Sequence, residues 1–418
     1  MARVSRAEAQ ERNRGKVLAA AREEFAERGF RDAKVDVIAQ RVGLTRGAVY
    51  SNFPGKRALY FAVLAEMAER VYPPAGAGGV FAGVGPEGGA FALKDASEGR
   101  ESAFRADGPG EKGEGRRSGG GGVGDRGVGG GGVRLGEALV GEALVEGIRV
   151  EGAYRRILGA LALAWVRPLV ADDWLGRDLG AELLADELRR PYTQLLELDA
   201  LLLALALERL RPPNPDPAAP PTRLVRHARA LLTTLLGATQ LAATAPDFLE
   251  PYDVVTAVER LADLPINDYW APPTSEPPVR RTDDVWAPPS ATDLVRGTPH
   301  EVADGVVAVL GLNRLSSVEQ AARLGKTTVV LVTGSPQELG PLARLTLAQL
   351  TGPLRQAFPE PTWPDVRVVC DETGEIARAA GVPAVSDETE VAIRVAGGRI
   401  VARAEGFAAC HAIAAAVA

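Results

Sequence analysis

Cysteine is nearly absent from this chain of 418 residues, Cys370 and Cys410 being the only two. So few thiols exclude the disulfide framework on which small extracellular domains depend. Long apolar runs are missing as well. The most apolar stretch, Leu198 to Leu210, is interrupted by Asp199 and Glu208, and no apolar segment follows Met1-Ala2-Arg3. Neither a membrane span nor a signal peptide is therefore expected, and a cytoplasmic protein is. The length allows two or three hydrophobic cores.

What is present is unevenly spread. The net charge is −6, yet residues 1–72 hold 14 Lys/Arg against 9 Asp/Glu, which makes that segment +5 and the remainder −11. A basic headpiece on an acidic body suits a protein that meets nucleic acid at one end only.

The headpiece, residues 11–72, reads as three helices separated by two short turns. From about Arg12 to Arg28, Leu18, Ala21 and Phe25 fall on one apolar stripe, and Gly29 stops the helix because it takes positive φ freely. Val35, Ile38, Ala39 and Val42 give a two-turn helix with one buried face. Gly43-Leu44 makes the turn, and Thr45 is a good N-cap for a short third helix that points Val49 and Phe53 inward. This is the spacing of a helix-turn-helix DNA reader. Gly47 and Ala48 have almost no side chain, so the third helix can come close to a duplex. Arg46 suits a guanine edge and Asn52 an adenine edge, with Thr45, Tyr50 and Ser51 as further donors and Lys56 as a phosphate partner. The alternative is a plain three-helix bundle whose polar face is merely solvated.

The run from Ala19 through Glu23-Glu24-Phe25 to Gly29-Phe30, then Val35 to Gly43, then Gly47-Ala48-Val49-Tyr50-Ser51-Asn52-Phe53-Pro54-Gly55-Lys56, resembles the N-terminal domain of TetR-family transcriptional repressors. The resemblance implies that Tyr50 and Lys56 hold phosphates while Thr45, Arg46, Ala48 and Ser51 face bases. In one respect the chain departs from that family. Where a Thr usually opens the second helix, this chain has Ala33-Lys34, so a cap is lost although Lys34 can still meet a phosphate.

Residues 75–135 contain 22 Gly in 61 positions, a density that cannot repay its ordering entropy and predicts a disordered insertion. No Gly-x-x-x-x-Gly-Lys-Ser/Thr phosphate loop occurs there. Helical periodicity spans 137–264, broken at Pro168, Pro191 and the Pro-rich loop 212–217, and this segment resembles the all-helical regulatory domain of the same repressors. The resemblance implies that its last two helices, Thr222 to Ala245 and Pro251 to Leu264, form a dimer interface. Leu224, Ala228, Leu231 and Leu235 make one stripe on the first of them and are the candidate seam of a homodimer. Tyr154, Trp165, Arg167, Trp174, Tyr192 and His227 are the candidates to line a pocket for an unknown small-molecule effector.

A Pro-rich linker is expected at 265–300, including Trp270 and Trp286, and then the pattern changes. Val306–Leu310, Thr328–Val332 and Val366–Cys370 read as strands, Val318–Leu324, Glu338–Leu350 and Glu375–Ala380 as helices, and Val391–Val395 with Arg399–Ala404 as a hairpin before a closing helix from Phe407. The order, with Gly374-Glu375-Ile376-Ala377, Gly381-Val382-Pro383 and Gly398-Arg399-Ile400-Val401-Ala402, resembles thioredoxin-like and peroxiredoxin-like proteins. Their redox parts are missing. Thr333-Gly334-Ser335-Pro336 carries no cysteine, and Asp387-Glu388-Thr389-Glu390 has no proline before the fourth strand.

These observations predict a multidomain chain: all-α TetR-like DNA-binding and regulatory domains followed by an α/β thioredoxin-like domain at 301–418. The expected function is ligand-responsive repression by a dimer on a near-palindromic double-stranded DNA operator, with no enzyme activity, cofactor, metal or membrane partner. The alternative is a redox sensor or thiol enzyme whose activity lies in the C-terminal domain.

Overall fold

The computed structural model describes residues 6–71, 152–211, 222–266, 268–269 and 271–416. The Gly-rich stretch expected to be disordered lies outside them, as do residues 137–151 and Trp270.

The headpiece forms α1 (Arg6–Asp32), α2 (Val35–Arg41), α3 (Arg46–Tyr50) and α4 (Lys56–Val71). Gly29 breaks α1 at φ 70° and ψ 169°, as its position predicts, and the chain turns so that Phe30 comes back onto Phe25 and Tyr60. Ring centroids lie 5.3 Å apart for Phe25 and Tyr60 and 4.7 Å apart for Phe30 and Tyr60. This aromatic cluster is tied to the next domain by two hydrogen bonds. Tyr60 donates to the Leu175 carbonyl at 2.5 Å, and the Phe30 amide donates to Asp178 Oδ2 at 3.1 Å.

The helical body follows with α5 (152–166), the single turn α6 (Leu179–Glu182), α7 (Asp186–Leu210), α8 (Val225–Thr244) and α9 (Pro251–Leu261). Proline at 191 was expected to end a helix, but α7 runs through it. The stripe expected to form a dimer seam is buried. Leu224, Ala228, Leu231 and Leu235 are 6%, 0%, 0% and 0% exposed within the single chain, so that stripe belongs to the body's own core and is unavailable to a partner. Periodicity identified a buried face on α8; it carried no information about what buries it.

The C-terminal part is a six-stranded sheet in the order β1-β8-β7-β4-β5-β6, built from β1 (Arg280–Val285), β4 (Gly305–Gly311), β5 (Thr327–Val332), β6 (Arg367–Cys370), β7 (Glu390–Ala396) and β8 (Arg399–Glu405). Strands β4, β5 and β6 run parallel, and β7, β8 and β1 join antiparallel. Helices α10 (Val318–Ala322), α11 (Pro336–Ala357), α12 (Glu375–Ala379) and α13 (Ala409–Ala415) accompany them. The central strands read as continuous apolar runs because both faces are covered. Val306, Ala308 and Leu310 share a core with α11 and α13, while Val307 and Val309 face a second core containing Trp286 and Ile376.

The linker expected at 265–300 is only partly one. It contains β1, which pairs with β8, and a hairpin of β2 (Ala291–Asp293) and β3 (Thr298–His300) set against the opposite edge. There the Leu294 amide donates to the Val368 carbonyl at 2.8 Å, and the Val368 amide donates to the buried Asp293 Oδ1 at 3.2 Å. Arg280-Arg281-Thr282-Asp283-Asp284-Val285 lacks apolar alternation because it is an edge strand with nothing to bury.

The sheet domain does not stand apart from the helices. Its long helix α11 packs along α4, the helix that leaves the headpiece, and their apolar side chains belong to one core. At one end Arg57 Nη2 bonds Glu338 Oε1 at 3.1 Å. At the other, Arg344 grips Glu69 through three N–H···O contacts of 2.8–3.1 Å. Further pairs join α7 to the sheet domain, among them Arg209 with Asp365 at 2.6 Å and Arg323 with Glu208 at 3.1 Å.

Candidate nucleic-acid interface

The second and third helices are set by short-range contacts and one buried carboxylate. Thr45 is the N-cap of α3, its Oγ1 accepting the Ala48 amide at 3.2 Å, as the sequence suggests. Gly43, at φ 66°, makes the turn between the two helices. The missing cap of α2 is replaced from a distance. The Lys34 amide donates to Oε1 of Glu24, whose side chain is fully buried. The other oxygen of Glu24 receives Arg41 Nη2 at 3.1 Å, and Arg28 Nε lies 3.3 Å from the first. Arg41 also bonds Glu23 and Glu27, so this cation is spent on fixing α2 against α1. Sequence reading missed Glu24 and Arg41. The signal was a pair of acids one turn before Gly29, facing a basic residue at the end of α2.

On the outer side, Arg46 is 61% exposed and its guanidinium lies 5.3 Å over the ring of half-buried Tyr50, with Nη2 3.4 Å from the Tyr50 hydroxyl. Nη1 meets Asp36 Oδ2 at 3.3 Å, and both partners are exposed. A pair this wet contributes little and can be exchanged for another anion at small cost. The exposed Lys34 side chain stands at the start of α2. A Cβ added at Gly47 would meet nothing nearer than Thr45 Oγ1 at 4.0 Å, so packing within the chain does not require glycine there. Ala48 is half-buried and offers its carbonyl to two side chains: Ser51 Oγ donates to it at 2.8 Å and Asn52 Nδ2 at 3.0 Å. Ser51 and Asn52, expected to offer donors to a partner, thus have a donor turned onto their own helix.

Lys56 departs furthest from expectation. Its ammonium donates to the carbonyls of Phe30, Arg31 and Ala33 at 2.8, 3.0 and 3.3 Å and lies 4.5 Å above the Phe30 ring. All three N–H donors are used inside the chain, so here Lys56 ties the start of α4 to the end of α1.

The six residues expected to line one effector pocket are dispersed. Trp165 and Trp174 do share a cavity of about 120 Å³, which Leu64 of α4 and Leu345 of α11 also line. Trp165 Nε1 donates to Thr239 Oγ1 at 3.0 Å. Tyr154 and His227 form a separate tilted pair with ring centroids 6.4 Å apart, where burial lowers the His227 pKa. Tyr192 is half-buried on α7, and Arg167 is exposed in a single turn after α5. A larger cleft, about 540 Å³, lies in the sheet domain against the end of α4 and was not foreseen, because its walls come from Glu69, the β2–β3 hairpin, α11 and the loop after β6.

The two cysteines are free. Burial pushes the Cys370 thiol up to about 12 and raises that of Cys410 as well, the opposite of an activated thiolate. Among the described residues no group of His, Cys, Asp or Glu is placed to hold a metal ion, and no helix is long and apolar enough to cross a membrane.

Residues 17–63 match the family model of bacterial regulatory proteins, tetR family. Over 65 residues the chain is 49% identical to the HTH-type transcriptional regulator SrpR of Pseudomonas putida, covering 16% of this chain and 30% of that protein. It is equally similar to the uncharacterized HTH-type transcriptional regulator TtgW of the same species, covering 48% of it. With the HTH-type transcriptional activator FasR of Mycolicibacterium smegmatis it shares 45% identity over 51 residues, 12% of this chain and 23% of that one. The chain thus spans less than half the length of each of these relatives. No solved structure matches it. The N-terminal helices of this chain are therefore a TetR-family helix-turn-helix domain.

Proposed function

We propose that the chain is a transcriptional regulator that binds double-stranded DNA through α3 as a homodimer and is released or retained by a small molecule. The observation that carries this reading is the tetR-family match of residues 17–63, in which Arg46 and Tyr50 form the outward polar surface of α3. Gly47 supports it, being a glycine that the chain's own packing does not demand. Arg46 is the base reader in this proposal, Tyr50 and Lys34 are phosphate contacts, and Lys56 acts indirectly by setting α4. Tyr50→Ala is expected to weaken binding to every sequence, whereas Arg46→Ala relaxes base preference and costs about 1–3 kcal/mol at one base pair. Binding selections on random DNA at fixed salt separate the two effects; unchanged selections for both variants would refute the assignment.

The dimer seam is the exposed face of α8, not its buried stripe. Thr233, Gly237, Gln240 and Thr244 lie on that face, and Phe248 and Tyr252, 77% and 57% exposed, continue it toward α9. A side chain added at Gly237 has nothing within 4 Å in the single chain. Gly237→Arg should therefore leave the protomer folded while weakening self-association at least about tenfold. Sedimentation of wild type and variant measures this, and an unaffected dimer places the seam elsewhere.

The sheet domain reads as a redox-inactive thioredoxin-like module, on the strength of its strand-helix alternation, closing hairpin and last helix. No enzyme activity is assigned to it. A thiol enzyme is disfavoured by the absence of cysteine at Thr333–Pro336 and by the raised Cys370 thiol.

A further inference from the structure

The 540 Å³ cleft differs from an ordinary surface depression in having α4 as one of its walls. Arg344, Ala348, Thr351 and Arg355 line it from α11 at i, i+4, i+7 and i+11, a single face of the helix, with the small Ala348 and Thr351 leaving the middle open. Arg355 Nη1 holds the opposite wall by donating to the Leu294 and Val295 carbonyls at 3.3 and 3.0 Å. At the other end the Arg344 guanidinium, half-buried, is occupied by the Glu69 carboxylate of α4. That contact is a planar cation gripping one carboxylate at the mouth of a cleft.

We propose that this cleft binds an aliphatic carboxylate, whose carboxyl group takes the place of Glu69 on Arg344 and so is sensed by α4. Charge selects the ligand class. A carboxylate that takes Arg344 turns the partly exposed Glu69 toward solvent and so puts one charge where one stood, whereas a phosphate would bring a second negative charge beside Glu372, whose Oε1 lies 3.8 Å from Arg344 Nη1, and beside Asp371 and Glu375. Ala291, Leu294, Ala348 and Ile376 then offer apolar surface to a hydrocarbon body. The exchange couples to the headpiece because Glu69 and Arg57 are the two ionic ties of α4 to α11, and α4 continues from the turn that follows α3. A ligand shifts such an equilibrium only through differential affinity, which here comes from competition for Arg344.

Occupancy of the cleft is independent of what the headpiece binds, while any effect on DNA rests on the reading proposed above. Calorimetric titration of the full chain with octanoate, and with octanol as the uncharged counterpart, tests occupancy. Octanoate is expected to bind at least about tenfold more tightly than octanol. Glu69→Gln, which removes the competing charge, should tighten octanoate about tenfold, and Arg344→Gln should abolish the preference for it. Equal binding of the two probes, no binding at millimolar concentration, or a Glu69→Gln variant that binds no more tightly than wild type would overturn the site. If Arg344→Gln fails to fold, the Glu69→Gln result decides alone. In a parallel DNA-retention assay, octanoate that binds as expected yet leaves retention unchanged upholds the site and overturns its coupling to α4; wild-type protein that retains no DNA at all refutes the headpiece reading and leaves the binding result standing.

Discussion

Replacing Leu231 by glutamate is expected to unfold the helical body outright. Leu231 is 0% exposed in the single chain, in the same core as Leu195, Leu198 and Leu202 of α7. A carboxylate buried among these apolar side chains, together with the lost packing, costs more than about 4 kcal/mol, a large part of a domain's stability. Leu231→Ala removes only the packing and should cost about 2–5 kcal/mol. Circular dichroism in urea separates this outcome from simple dissociation. A folded monomer of Leu231→Glu with wild-type resistance to urea would mean that the stripe is accessible after all.

The second large effect is expected at Glu24. Its side chain is wholly buried and receives the Lys34 amide, Arg41 and Arg28. Truncation by Glu24→Ala leaves the Lys34 amide without its acceptor, while Arg41 keeps Glu23 and Glu27 and the exposed Arg28 reaches water, so the loss is about 1–3 kcal/mol. The loss is local to the packing of α2 on α1, so hydrogen exchange of the α2 amides is the sensitive measurement. Their protection should fall by about one to two orders of magnitude, each tenfold step being about 1.4 kcal/mol. Glu24→Gln keeps an acceptor and the shape, and should fall between. Unchanged protection in the alanine variant would show that another contact sets α2.

The contrast between these two sites shows what the sequence made legible. Headpiece helices were readable because their signals are local: Gly29 and Gly43 at positive φ, the Thr45 cap, and Val35, Ile38 and Ala39 on one face. The central strands were readable because a strand covered on both faces is apolar throughout. Illegible features depend on partners far away in the chain. Nothing near Leu231 says whether its stripe meets α7 or another molecule. Nothing near Lys34 says that Glu24 accepts its amide, and Lys56 shows a free ammonium in the sequence but three carbonyl partners in space. The cleft is the extreme case, since Glu69 and Arg344 are 275 positions apart. Edge strand β1 hid for a different reason: its charges imitate a loop.

That same stretch has a consequence for how the sheet domain behaves in solution. An apolar sheet with bare edges is a template for other chains, and edge-to-edge pairing leads to aggregation. Here one margin ends in β1, where Arg280, Arg281, Asp283 and Asp284 confront any incoming strand with charges of both signs, and the other margin, β6, is covered by the β2–β3 hairpin through Leu294 and Asp293. Residues 280–300 thus guard both margins of the sheet while lending Trp286 and Val295 to its cores. A fragment that began at β4 would lose Trp286 and Val295, leave α11 without α4, and expose β8 and β6 together, so precipitation through the bared edges is its expected failure.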